Sequence, residues 1–291
     1  MIDDEDMTNR VVLVTGATGG IGRAAARRLG GRGATVVVTG RSRERGQAAV
    51  AEIEQAGGEG AFVRADFAAM AAVRGLADAF RKRYDRLDVL IHNAACSHDE
   101  RRVTDDGYEK ALAVNHLAPY LLTHELLDLL RASAPARVVS TSSTVHRRGA
   151  IDLDDLQLET DYDALDAYAR SKLANLLFTT ELAARLDGTG VTANAVHPGF
   201  VPDSGLYRDA SMPVRAATAV AARLPFVGTS VQDAADGIVR LAAASEEAEI
   251  NGTYFEGCER ADLDSRLRDE RLRERLWNAS ADLVGVDPAW P

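Results

Sequence analysis

"RVVLVTGATGGIG", residues 10–22, joins two kinds of chain without a break. Val11-Val12-Leu13-Val14 is a continuous aliphatic run, the pattern of a strand covered on both faces. Behind it come Gly16, Gly19, Gly20 and Gly22, and then a helical pattern over 19–33 that closes in further glycines. A strand, a glycine turn and a helix in that order present backbone amides to an anion at the helix N-terminus. Gly16 can turn the chain sharply out of the strand. Gly20 and Gly22 let backbone approach a pyrophosphate and let the helix pack on the sheet. The position of the turn, after a first strand and before a helix, points to a dinucleotide.

Working outward, the same alternation repeats. Strands are predicted at 34–40, 60–66, 86–95, 136–143, 190–199 and 251–257, with a helix over 43–58 and helical segments in the other gaps. Strand–helix alternation implies an α/β fold, a doubly wound parallel sheet of about seven strands with helices on both faces. No repeat or linker divides the chain, so 1–291 is expected to form a single Rossmann domain with its core over 8–198. Residues 199–229, with Pro198, Pro202, Pro213 and Pro225 in or beside them, suit a lid over a site. The tail, 259–291, begins with a charge-dense stretch whose six arginines balance six acids over 259–275. That balance predicts a solvated, ion-paired helix and not a nucleic-acid arm. Trp277 and Trp290 near the end are expected to dock the tail.

A net charge of −10 disfavours non-specific binding to nucleic acid or to an anionic membrane. No apolar run is long enough to span a bilayer, and the acidic start "MIDDEDMTNR" lacks a signal-peptide core, so a cytoplasmic protein without a membrane anchor is expected. Cys96 and Cys258 are the only cysteines and are far apart, which fits free thiols in a reducing compartment. The six histidines show no paired ligand spacing, so no metal is expected. His116 and His124 read as packing or surface residues.

The mouth of the second strand reads Val38-Thr39-Gly40-Arg41-Ser42-Arg43, with no acid before Glu44. A carboxylate there would accept from a ribose 2′-hydroxyl, whereas the Arg41 guanidinium suits a 2′-phosphate. NADP(H) is therefore favoured, with NAD(H) possible. Arg43 and Arg45 read as a solvated basic loop. At the other end of the chemistry stands "YARSK", 168–172: Tyr168 and Lys172, one helical turn apart, can point into one cleft. A phenol of ordinary pKa about 10 is a poor acid–base group at neutral pH, and a nearby ammonium favours its phenolate. "STSS", 140–143, ends a strand at the carboxyl edge of the sheet, where a hydroxyl could donate to the same substrate oxygen. Asn115, an amide inside a helix, invites a place in a buried polar network.

Together these residues resemble the short-chain dehydrogenase/reductase family over nearly the whole chain. TGxxxGxG matches Thr15, Gly16, Gly20 and Gly22. The acidic adenine contact matches Asp66, the NNAG signature His92-Asn93-Ala94-Ala95, the tetrad asparagine Asn115, YxxxK Tyr168 and Lys172, and the PG turn Pro198-Gly199. The resemblance implies Tyr168 as general acid/base and Lys172 as the cation that tunes it and holds the nicotinamide ribose. Ser143 would polarise the carbonyl, with Ser142 as runner-up, and Asn115 would help hold a water between Lys172 and bulk. It also implies cofactor contacts from Gly16, Thr18, Gly19, Gly20, Ile21 and Gly22. Further contacts would come from Arg41, Asp66, Phe67, Asn93, Ala94 and Ala95, and from Pro198, Gly199, Val201 and Asp203.

Two positions depart from the family pattern. Ala95 replaces a glycine and puts a methyl beside the cofactor. Asp203 stands where a threonine usually holds the nicotinamide carboxamide, with Ser204 next to it. The spacing from Ser143 to Tyr168, with "VHRRG" between them, resembles the retinol-dehydrogenase-like branch. That branch implies hydride transfer between NADPH and hydrophobic aldehydes or ketones. The family also implies a possible homodimer or homotetramer. The apolar stripe Leu173, Leu176, Leu177, Phe178 and Leu182 fits either core or a helix-pair seam. Competing readings are an NAD-dependent alcohol dehydrogenase, which Arg41 opposes, and a non-catalytic NADP(H)-sensing protein, which the intact Tyr168–Lys172 pair opposes.

Overall fold

Strand β1 (Val11–Val14) is an interior strand of the sheet, and its four residues are all buried. Alternate side chains face opposite ways: Val11 and Leu13 enter one core, Val12 and Val14 the other. Both faces are therefore apolar, which explains the unbroken aliphatic run. The computed structural model describes residues 5–202, 204–206, 212, 220 and 228–291.

Chain order runs β1, α1 (Gly20–Gly30), β2 (Thr35–Gly40), α2 (Arg43–Gln55), β3 (Glu59–Arg64), α3 (Met70–Arg81) and β4 (Val89–His92). The short helix α4 (Lys110–Leu112) passes through a π turn, Ala113–Leu117, directly into α5 (Ala118–Ala132). Then follow β5 (Ala136–Thr141), a 3₁₀ turn (Thr144–Arg148), α6 (Ala164–Arg185), β6 (Val191–His197), α7 (Val231–Ala243), β7 (Tyr254–Glu256), β8 (Glu259–Ala261) and α8 (Glu270–Val284). The sheet order is β3-β2-β1-β4-β5-β6-β7-β8. Pairing is parallel from β3 to β7. The order reverses at β1, which places a crevice outside the carboxyl ends of β1 and β4.

Among the described residues the sheet has eight strands, where the sequence predicts about seven. β8 pairs antiparallel with β7 through a turn at Gly257 and Cys258, with Gly257 at φ +62°. Its residues, Glu259-Arg260-Ala261, open the stretch read from sequence as a charged helix. Charged side chains suit an edge strand, where they discourage pairing with another chain. The rest of that stretch divides into a 3₁₀ turn at Ser265–Arg268 and the start of α8.

The stripe on α6 is core. Leu173, Leu176, Leu177, Phe178 and Leu182 are all buried within the chain, and α8 packs along α6 and touches α5. Trp277 lies stacked at 5.8 Å from Phe178 and edge-on at 4.9 Å from Tyr120. Trp290 donates from Nε1 to the Tyr120 hydroxyl at 3.0 Å, and Trp277 donates to the Pro288 carbonyl at 3.0 Å. Arg185 lies over the Trp277 ring at 4.4 Å and donates to the Trp290 carbonyl at 2.9 Å. The two tryptophans thus dock the tail. Trp277→Ala is expected to destabilise the fold by about 3–5 kcal/mol, the range for deleting a buried aromatic, as read by urea unfolding.

Candidate active site

A single cleft of about 620 Å³ crosses the carboxyl edge of the sheet. Its volume suits an elongated ligand. At one end the turn after β1 brings Gly16, Thr18, Gly19 and Ile21 to the wall. Gly16 has φ +66°, and a Cβ there would meet the Ala94 Cα at 2.7 Å, so only glycine fits. Thr15 ties this turn to the end of β4: its hydroxyl oxygen accepts from the Asn93 and Ala94 amides at 2.9 and 3.0 Å. Asn93 returns a bond from Nδ2 to the Thr15 carbonyl at 3.0 Å. Helix α1 has a glycine at its N-cap and no acidic residue in its first turn, leaving that end suited to an anion.

Gly20 and Gly22 do not line the cleft. A Cβ on Gly22 would meet the Asn93 amide nitrogen at 2.3 Å, and one on Gly20 the Ser204 carbonyl oxygen at 2.5 Å. Both serve close packing around the turn. Arg41, exposed at the end of β2, lines the far end with Asp66 and Phe67. Arg45, exposed in the first turn of α2, lines it too. Spacing accounts for this: from the mouth of β2 to the first turn of α2, residues 41 and 45 reach the same side.

At the other end, Tyr168, Lys172 and Ser143 line one wall, and Asn93, Ala94, Ala95, Pro198, Gly199 and Val201 continue the surface between the two ends. Asp203 lies outside the described residues, as does most of the segment 199–229 expected as a lid. Tyr168 and Lys172 sit one turn apart on α6, with Nζ 5.6 Å from the phenol ring centroid. Lys172 is almost wholly buried and donates from Nζ to the Thr141 carbonyl at 2.9 Å. Burial lowers its pKa to about 8.

The two serines are now distinguishable. Ser142 is buried, and its hydroxyl donates to the Lys172 carbonyl at 3.3 Å. Ser143 is half-buried and caps the 3₁₀ turn, its oxygen accepting from the Val145 amide at 3.4 Å. That bond uses an oxygen lone pair and not the hydroxyl proton.

Asn115 stands behind the cleft and not in it. Its Oδ1 accepts from the Cys96 amide at 2.8 Å, and its Nδ2 donates to the Cys96 carbonyl and the Ser171 hydroxyl, each at 2.9 Å. Ser171 in turn donates to the Tyr168 carbonyl at 2.8 Å. Asn115 therefore links the segment after β4 to the backbone of Tyr168. It does so from within the π turn, a widening of the helix often found near functional sites. Cys96 lines the cleft, but burial pushes its thiol up to about 12, so it stays protonated and a poor nucleophile. Among the described residues, no group of three or more His, Cys, Asp or Glu is placed to hold a metal.

A glycine turn feeding a crevice on a doubly wound sheet, with a Tyr–Lys pair at its far end, defines a dinucleotide-binding α/β fold with a polar reaction site. The sequence profile of the family described as short chain dehydrogenase matches residues 10–211. The chain belongs to this short-chain dehydrogenase/reductase family, in its retinol-dehydrogenase-like branch. It is 40% identical to human retinol dehydrogenase 12 over 284 residues, covering 96% of this chain and 88% of that enzyme. It is 42% identical to bovine dehydrogenase/reductase SDR family member 13, covering 97% of this chain and 75% of that protein. Among solved structures, an uncharacterized protein of Mycobacterium paratuberculosis superposes with TM-score 0.79 at 29% identity, covering 98% of this chain and 97% of the other. A short chain dehydrogenase of Burkholderia cenocepacia in complex with NADP gives TM-score 0.69 at 30% identity, covering 86% and 96%.

Proposed function

We propose that this oxidoreductase interconverts a carbonyl and an alcohol with NADP(H), and that its substrates are hydrophobic aldehydes or ketones. One observation carries the reading: a single cleft joins Arg41 at one end to Tyr168, Lys172 and Ser143 at the other. The residues fit the cofactor, because Gly16 and Gly19 open the wall to the backbone amides a pyrophosphate needs, and Arg41 and Arg45 supply charge for a 2′-phosphate. Asp66 and Phe67 would flank the adenosine, and Asn93, Ala94, Ala95, Pro198, Gly199 and Val201 the nicotinamide half. Bound NADP(H) supplies or accepts the hydride.

The chain's own residues manage the proton. In reduction the Tyr168 hydroxyl protonates the carbonyl oxygen, and in oxidation the phenolate removes the alcohol proton. The Lys172 ammonium favours that phenolate. Ser143 donates to the same oxygen and stabilises charge developing on it. Asn115, through Ser171, holds the Tyr168 backbone in register. Leu165 and Phe200 are 40% and 46% exposed and line the cleft beside Val145 and Leu206, an apolar mouth suited to an apolar substrate. The naming of human and bovine relatives as retinol dehydrogenases supports the same substrate class.

The cofactor reading is tested at Arg41. Arg41→Glu is expected to lower kcat/KM for NADPH about 100-fold, the loss of charge-assisted bonds to a phosphate, while NADH is used as well as before or better. An unchanged ratio of NADPH to NADH rates in the variant contradicts it.

A further inference from the structure

We propose that His146 and Arg266 are positioning residues for Ser143, bracing from two sides the 3₁₀ turn that carries it. The inference rests on the role proposed for Ser143 and adds two residues that do not line the cleft.

The Ser143 carbonyl accepts two bonds from one residue. The backbone amide of His146 reaches it at 3.1 Å and the ring Nδ1 at 2.7 Å. A carbonyl can only accept, so the ring proton sits on Nδ1 and the tautomer is set by the partner. The ring is 2% exposed and stands edge-on to Tyr254 of β7, with centroids 5.3 Å apart at 84°. Burial holds the His146 pKa below its ordinary value, so the ring stays neutral and the Nδ1 proton is the one it has to donate.

The second side comes from far along the chain. Arg266 reaches across from the 3₁₀ turn Ser265–Arg268 to the carbonyls at the end of the Ser143 turn. Its Nη2 donates to the His146 and Arg147 carbonyls, each at 3.3 Å, and its Nη1 to the Gly149 carbonyl. The His146 carbonyl also accepts from the Gly149 amide at 2.9 Å, and one planar guanidinium can add bonds to several carbonyls at the end of a short helix. Asp264 holds the fork, accepting from Nε at 2.9 Å and from Nη2 at 2.5 Å. The Arg266 guanidinium draws the Asp264 carboxyl down to about 2, so this partner is ionised across the working range. Arg147, between the two braces, pairs with Glu256 at 2.6 Å.

The turn that sets the Ser143 hydroxyl is thus fixed by a buried ring beneath and a cation behind. A displacement of about 1 Å in a catalytic group can cost roughly 100-fold in rate, so loosening either brace should reach the chemistry.

The experiment compares His146→Asn, His146→Leu and Arg266→Met with wild type and with Tyr168→Phe. It measures kcat and KM with NADPH and 4-nitrobenzaldehyde, and NADPH affinity by fluorescence titration. Asn offers an N–H near the place of Nδ1. His146→Asn is therefore expected to stay within about 3-fold of wild-type kcat and His146→Leu to fall about 30-fold, with NADPH affinity near wild type in both. Arg266→Met is expected to lower kcat about 10-fold on the same grounds, and it decides the matter if His146→Leu does not fold. Equal kcat losses in the Asn and Leu variants overturn the role of His146, and wild-type kcat in Arg266→Met overturns that of Arg266. Full turnover in Tyr168→Phe would instead overturn the reading of the site as a whole, whatever the braces do.

Discussion

Tyr168→Phe is expected to lower kcat by about 1000-fold, within the range for removing a positioned general acid, while NADPH binding is retained. The phenol is the only group on the cleft wall proposed to give a proton to the substrate oxygen. Ser143 can donate a hydrogen bond there, but an ordinary serine hydroxyl is far too weak an acid to ionise near neutral pH. The substitution removes one oxygen from a half-buried ring and leaves the helix and the Lys172 contact to Thr141 in place. Steady-state rates with an aromatic aldehyde and a fluorescence titration of NADPH separate the two effects. A variant that turns over at the wild-type rate removes Tyr168 from the chemistry.

Lys172→Met is expected to do two opposite things. Activity is expected to fall by about 1000-fold or more, because the ammonium proposed to favour the Tyr168 phenolate is gone. Stability at neutral pH rises, by roughly 1–3 kcal/mol, since each pKa unit by which burial disfavours the ammonium is worth about 1.4 kcal/mol. The sign follows from the two protonation states. Lys172 has a folded pKa of about 8 against an ordinary 10.5, so the unfolded chain binds more protons between those values. Wild-type stability contributed by this group therefore increases as pH rises through that window. The advantage of Lys172→Met is full below pH 8 and fades toward pH 10.5. Denaturant unfolding of both proteins at pH 7 and pH 10 measures the difference. An equal advantage at both pH values contradicts a penalty that comes from the buried charge.

Much of the fold is legible in residues 10–22 because local and global demands agree there. The aliphatic run must be buried on both faces, and Gly16 must adopt a conformation that other residues resist. The Tyr168–Lys172 pair is legible for a similar reason, since spacing on one helix places both on one wall. What escapes the sequence depends on distant partners. Strand β8 is three residues long and carries two charges, so neither periodicity nor propensity marks it; only β7 beside it makes it a strand. The π turn at Ala113–Leu117 has no composition of its own. The choice between Ser142 and Ser143 turns on which hydroxyl the backbone of Lys172 claims. Arg266, inside a stretch whose balanced charge suggests a solvated face, finds its carbonyls more than a hundred residues earlier. The core-or-seam question on α6 is settled by the chain itself, whose last helix covers that face.

The most direct test of NADP(H)-linked carbonyl chemistry in this cleft is oxidation of NADPH by the wild-type protein over a panel of hydrophobic aldehydes and ketones, retinal among them, with NADH in parallel. Turnover that grows with the apolar character of the carbonyl and runs at least about tenfold faster in kcat/KM with NADPH, a difference of ~1.4 kcal/mol, is the predicted result. Tight NADPH binding with no turnover of any carbonyl, or equal rates with the two cofactors, would contradict it.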